Sequence, residues 1–102
     1  MLSTRLLVMN IIKGDIVKSL SGRDKGRLFF VLDCQDDGYV LLADGDYRRL
    51  GNPKRKKIKH ISHFSSADIR VAQKLKKGDS VTDAELRKAI RQLENPLCEG
   101  GL

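Results

Sequence analysis

Cysteine is scarce in this chain: Cys34 and Cys98 are the only two, and they lie far apart. One possible bridge in a basic chain does not make a disulfide-built secreted scaffold, so both thiols are read as reduced. Long apolar runs are missing as well. Nothing approaches the roughly 20 consecutive apolar residues of a membrane span. The run from Leu6 to Val8 is too short for the central region of a signal peptide. The expectation is therefore a cytoplasmic protein with no membrane partner. Residues 1–10 read as a disordered N-terminal extension, with translation starting at Met1 or Met9. There is no internal repeat at a period of 20–50 residues, which removes solenoids and propellers.

The marks of catalysis and metal binding are missing too. His60 and His63 are three apart, but the cysteines have no paired spacing, so no metal and no cofactor is expected. Asp33, Asp36, Asp37, Asp44 and Asp46 fall at turns, where aspartate hydrogen-bonds its own backbone. No Ser/His/Asp constellation or activated cysteine stands out, and the expectation is a non-enzyme without a small-molecule substrate. A hydrolase would need a concave site lined by convergent polar groups. The Gly22–Gly26 string GRDKG lacks the Gly-Lys-Ser/Thr ending of a phosphate-binding P-loop and does not open a helix.

Acid is absent where base is most concentrated. Residues 1–47 carry six Lys/Arg against seven Asp/Glu, and residues 61–102 carry seven against six. Residues 48–60 carry seven Lys/Arg and no acid, which equals the whole net charge of +7. A charge excess held in thirteen residues is a footprint for a polyanion rather than general solubility chemistry. The competing readings are a solvated basic edge and a localisation tract.

The chain length of 102 residues suits one small domain with an appendage. Strand patterns run from Ile11 to Leu20 and from Arg27 to Asp33, the latter with Leu28 to Leu32 as a continuous apolar run that periodicity cannot divide into faces. Asp36-Asp37-Gly38 signals a hairpin, Tyr39 to Ala43 a third strand, and Asp44-Gly45 the next turn. Tyr47 to Arg49 reads as a short fourth strand, and Lys54 to Ile61 as a lysine-protected edge strand anchored by Ile58. Five short strands at close spacing predict a mostly β fold, a small barrel over residues 11–64. Residues 65–102 read as a helical appendage. Ser65 or Ser66 caps a helix from Ala67 to Lys77, with Ile69, Ala72 and Leu75 on one side and Gly78 ending it. In the next helix Thr82 and Glu85 make a capping box, Val81 staples on Leu86, and Leu86, Ala89, Ile90 and Leu93 form an apolar stripe. Asn95-Pro96 stops it.

The candidate RNA-binding residues follow from charge and turn chemistry. Arg48, Arg49, Lys54, Arg55, Lys56, Lys57 and Lys59 form a cationic ribbon that His60 extends. On an extended strand neighbours point to opposite faces, so not all seven reach one nucleic-acid backbone. Gly22, Arg23, Lys25 and Gly26 belong to a tight turn that presents cations and amides, or serves only as a polar hairpin tip. Tyr39 and Tyr47 sit beside turns; packing at the barrel rim is preferred over stacking on an unpaired base. The ribbon reading requires that its cations be neither neutralised by acids nor scattered over opposite sides.

Lys13-Gly14-Asp15-Ile16-Val17 followed by Ser21-Gly22-Arg23-Asp24-Lys25-Gly26 resembles a KOW motif. With Tyr39 to Gly45, Arg48-Arg49, Pro53 to Lys57 and Lys59-His60, the match looks like the large-subunit ribosomal KOW proteins of the fourteen-e type, and above all the small bacterial KOW-domain RNA-binding proteins similar to them. It covers about residues 12–62. The resemblance implies an SH3-like five-stranded barrel, non-catalytic binding of ribosomal or other structured RNA, and association with ribosomes or translation. It also implies contacts at Gly22, Arg23, Lys25 and Gly26. The alternative is a KOW protein-interaction module that meets ribosomal or transcription proteins, with the stripe of the last helix as its partner surface.

Overall fold

Leu28, Phe29, Phe30 and Val31 are all buried. Their strand is covered on both sides, which is why the run carries no readable face. They belong to β2 (Leu28–Cys34), the middle strand of a five-stranded antiparallel sheet. The structure, a computed structural model, describes residues 11–65 and 70–94. The other strands are β1 (Ile16–Ser19), β3 (Tyr39–Ala43), β4 (Lys54–Lys57) and β5 (Ile61–Ser65), in the order β4-β3-β2-β1-β5. Helices α1 (Arg70–Lys77) and α2 (Asp83–Glu94) follow.

One face of the sheet packs on the helices. Ile16, Leu28, Phe30 and Ala43 meet Val71, Ala72 and Leu75 of α1 and Leu86, Ala89 and Ile90 of α2. The opposite face holds Val17, Phe29, Val31, Val40, Leu42 and Ile61, with Ile11 and Ile58 against them. The register makes the division: Ile16 sits opposite Phe30 and Val17 opposite Phe29, so neighbours in sequence enter different clusters. The sheet is consistent with a small barrel-like fold, but β4 and β5 do not pair and it does not close.

Three strand boundaries differ from those expected. β1 begins at Ile16 rather than Ile11, because residues 12–15 form a turn: the Asp15 amide donates to the Ile12 carbonyl and the Ile12 amide to the Asp15 carboxylate. Tyr47–Arg49 is not a strand. The Asp44 carboxylate accepts the amides of Asp46 and Arg48, taking donors that a ladder would use. The segment from Lys54 to Ile61 is two strands joined by a 3₁₀ turn at Ile58–His60. The Leu20 amide donates to the His60 carbonyl and ties that turn to the end of β1.

The second helix begins as its sequence indicates. The Thr82 amide donates to the Glu85 carboxylate at 2.9 Å, and the Glu85 amide to the Thr82 hydroxyl at 3.2 Å. Hydrogen bonds from Lys74 and Thr82 hold the Glu85 carboxyl below its ordinary range. Val81 and Leu93 pack against the cluster that contains Leu86. The apolar stripe of α2 is thus occupied by the sheet. Ala72 and Leu75 are buried on α1, joined by Val71, and Gly78 follows the helix at positive φ. The Ser66 cap, Ile69, the Asn95-Pro96 stop, Cys98 and residues 1–10 lie outside the described residues.

Gly45 decides where α2 docks. It has φ of +81°, and a Cβ there would overlap the Asp83 carbonyl oxygen and lie 3.0 Å from the Arg87 amide. Arg87 donates to the Gly45 carbonyl at 2.8 Å, and the Leu50 amide donates to the Asp83 carboxylate at 2.7 Å. These bonds pin the loop between β3 and β4 to the first turns of the helix.

Candidate nucleic-acid interface

Alternation along β4 sends its four cations two ways. Lys54 and Lys56 lie opposite Leu42 and Val40, so they share the face of the second apolar cluster. Arg55 and Lys57 lie opposite Leu41 and Tyr39, on the other face.

On the first face, the turn after β1 folds over the strand. Asp24 is 0% exposed and sits between the two lysines, with Lys56 Nζ 2.8 Å from Oδ1 and Lys54 Nζ 3.1 Å from Oδ2. Lys56 also donates to the Ser21 carbonyl at 2.7 Å, and the Ser19 hydroxyl donates to Asp24 at 2.6 Å. Burial by itself would push the Asp24 carboxyl up. Hydrogen bonds from Lys56, Ser19 and Lys54, with the charge of Lys56, outweigh it and hold the carboxyl far below the carboxylate range. Gly22 and Gly26 take φ of +85° and +91°, which lets the turn double back. A Cβ on Gly22 would lie 3.6 Å from both Asp24 Oδ1 and Lys56 Nζ.

Asp24 is therefore an anchor inside the turn, while Arg23 and Lys25 on either side of it are exposed. One carboxylate faces two ammonium groups, so the site keeps a surplus positive charge. Lys56 is only 8% exposed and acts as a structural cation more than a surface for RNA.

On the second face, Arg55 ion-pairs with Asp37 and donates to the Gln35 side chain at 3.0 Å. Its guanidinium lies 3.6 Å from the ring centroid of the half-buried Tyr39, and Lys57 Nζ lies 5.9 Å from it. Lys57 and Lys59 are exposed, and His60 is half-buried in the 3₁₀ turn.

The single-ribbon expectation is therefore corrected: acids partner part of it and strand alternation sends its cations to opposite faces. Three of its members, Lys54, Arg55 and Lys56, have carboxylate partners, and β4 divides it between two faces. Arg23, Lys25, Arg48, Arg49, Lys57 and Lys59 form no ion pair among the described residues.

Arg48 and Arg49 belong to the loop between β3 and β4, where the structure gathers cations that charge counting along the chain misses. Arg27 pairs with Asp44 at 3.5 Å and lies 4.4 Å from the Tyr47 ring centroid, with Arg48 at 6.0 Å. Arg87 and Arg91 of α2 line an adjoining hollow with Arg27. Their spacing of four places them on one side of the helix, a signal that sequence carries but that points nowhere until α2 docks. Tyr47 is 43% exposed and joins neither apolar cluster, so the expected rim packing does not describe it. Asp37 and Asp44 do bond local backbone amides, as turn aspartates should. No group of three or more potential metal ligands gathers among the described residues, and no described helix is long and apolar enough to cross a membrane.

In comparisons with known proteins, no family model matches the chain, and no curated protein matches it.

Proposed function

We propose that this protein binds RNA without catalysing a reaction, through a KOW-type SH3-like barrel, and that it works in the cytoplasm on the ribosome or in translation. The observation that carries the reading is the meeting of the Gly22–Gly26 turn with one face of β4. It sets two lysines against one aspartate and leaves Arg23 and Lys25 projecting beside them. Lys57, Lys59 and Arg49 add exposed cations nearby in the chain. Cations held on a sheet and a tight turn grip phosphates with less ordering cost than cations on a loose tail. The competing reading, a KOW protein-interaction module, relies on the apolar stripe of α2, and the sheet occupies that stripe.

The test is filter binding of a structured RNA over a salt series. Changing Arg23, Lys25, Lys57 and Lys59 together to Ala should weaken binding to all RNAs. It should also flatten the plot of log affinity against log salt by about one unit for each phosphate no longer neutralised. An unchanged slope refutes the reading. Lys56 is left out of the set because its loss would damage the fold. Protein that comes free of nucleic acid at moderate salt and captures a protein instead would favour the interaction module.

A further inference from the structure

Around Tyr47 the structure assembles a different kind of surface. The cations there are all arginine: Arg27 and Arg48 beside the ring, Arg49 next to them, and Arg87 and Arg91 on α2. Two hollows adjoin here and share Asp46. The smaller, about 80 Å³, is lined by Arg27, Arg87 and Arg91, and the larger, about 410 Å³, by Tyr47, Arg48, Arg49 and Asn52. The larger lies within the size range of small-ligand sites, roughly 300–1,000 Å³. Five arginines face three carboxylates, Asp44, Asp46 and Glu94. Asp44 is buried and paired with Arg27, which leaves Arg48, Arg49, Arg87 and Arg91 against Asp46 and Glu94, a positive surplus.

We infer that this loop and the adjoining side of α2 form a site for one unpaired nucleotide of an RNA, with the base stacked on Tyr47 and its phosphates held by the surrounding arginines. The inference rests on the RNA-binding reading and adds to it a substrate class, single-stranded or looped RNA. An exposed aromatic ring stacks only on a base that has left its helix. Guanidinium groups suit this role because they bind phosphate through two parallel hydrogen bonds and stack on flat rings as well. Lysines dominate the turn and β4, where shape-based phosphate binding suffices. Arginines and an aromatic dominate here. The site is composite, because Arg87 and Arg91 join it only through the docking of α2 against Gly45.

The experiment compares the affinities of the purified full chain for two RNAs of equal length and charge, a blunt duplex and a hairpin with an unpaired loop. The wild type should bind the looped RNA more tightly. Tyr47→Ala should reduce that preference on the order of tenfold. Tyr47→Phe should keep it, and Arg91→Ala should reduce it in part. Thermal melting of each variant checks that it is folded. If Tyr47→Ala unfolds, Arg49→Ala and Arg91→Ala decide the matter by the same ratio. If the wild type binds both RNAs equally, or the folded variants keep the full preference, the unpaired-nucleotide site is overturned and general RNA binding stands. If the wild type binds neither RNA, the RNA reading itself falls. Preferential binding of an acidic peptide at Tyr47 would also overturn the site.

Discussion

Lys56 and Asp24 form an ion pair at 2.8 Å, although their side chains are only 8% and 0% exposed. A lysine from the middle of a basic run is thereby turned into part of the interior. Desolvation is costly for both charges, and here the Ser21 carbonyl and the Ser19 hydroxyl add hydrogen bonds to Lys56 Nζ and Asp24 Oδ1, while the buried Oδ2 has only the charge of Lys54 beside it. The pair joins the β1–β2 turn to β4 across 32 residues of chain.

Removing one partner of such a pair leaves the other charge buried. Asp24→Asn should destabilise the protein by about 3–5 kcal/mol in urea denaturation. A double variant, Asp24→Asn with Lys56→Met, should recover part of that loss. The pH dependence follows from the depressed carboxyl. A group whose folded pKa lies below its unfolded value of 3.8 contributes stability above that value and loses it as pH falls. The wild-type advantage over Asp24→Asn should be complete above about pH 5 and shrink steadily below 3.8. An advantage that stays constant down to strong acid would show that the carboxylate charge is not what stabilises the turn.

Gly45 and Gly38 make a matched test of helix docking. Both have positive φ, +81° and +86°, but a Cβ on Gly38 meets nothing within 4 Å while one on Gly45 overlaps α2. Gly38→Ala should cost about 1–2 kcal/mol from backbone conformation alone. Gly45→Ala should cost about 2–5 kcal/mol, because α2 must also move. Urea denaturation gives both values, and equal costs would mean that α2 does not rest on this glycine. Loosening α2 in Gly45→Ala should also weaken any binding that needs Arg87 and Arg91.

Cys34 is an exposed free cysteine among the described residues. Its sulfur lies 3.4 Å from the Ile11 carbonyl oxygen. Partial burial and the charges of Asp33 and Asp15 push its thiol up from an ordinary 9.0. The thiolate is the reactive form, so labelling by a disulfide reagent should be slower at neutral pH than for a free thiol. In a Cys98→Ser background the rate should keep rising beyond pH 9. Labelling as fast as that of free cysteine at neutral pH would contradict the picture of acidic neighbours around this sulfur.

Local signals are legible wherever a few neighbouring residues settle the matter. Thr82 and Glu85 announce the start of α2 because a capping box closes within a single helical turn. Tyr39–Ala43 is a strand with the expected bounds. The failures share a cause. Tyr47–Arg49 has strand composition, yet Asp44 commits its carboxylate to that loop's amides, and the competition is invisible in the sequence. Lys54 to Ile61 reads as one element because nothing local shows that Leu20, far back in the chain, takes the His60 carbonyl. The candidate surface follows the same division. Arg23 and Lys25 are legible from the turn, whereas the link of Arg27 to Tyr47 needs the loop between β3 and β4 in place.

By itself the sequence determined the class of this protein: a mostly β chain with a capped final helix and positive charge concentrated in one stretch. These follow from short-range rules of backbone geometry, capping and composition. Only the tertiary structure decided which cations face solvent. Strand alternation and a single aspartate from a distant turn draw Lys54 and Lys56 inward, and a glycine without a side chain lets α2 bring Arg87 and Arg91 beside Arg27. Charge is a property of residues, but its availability depends on what folds against them.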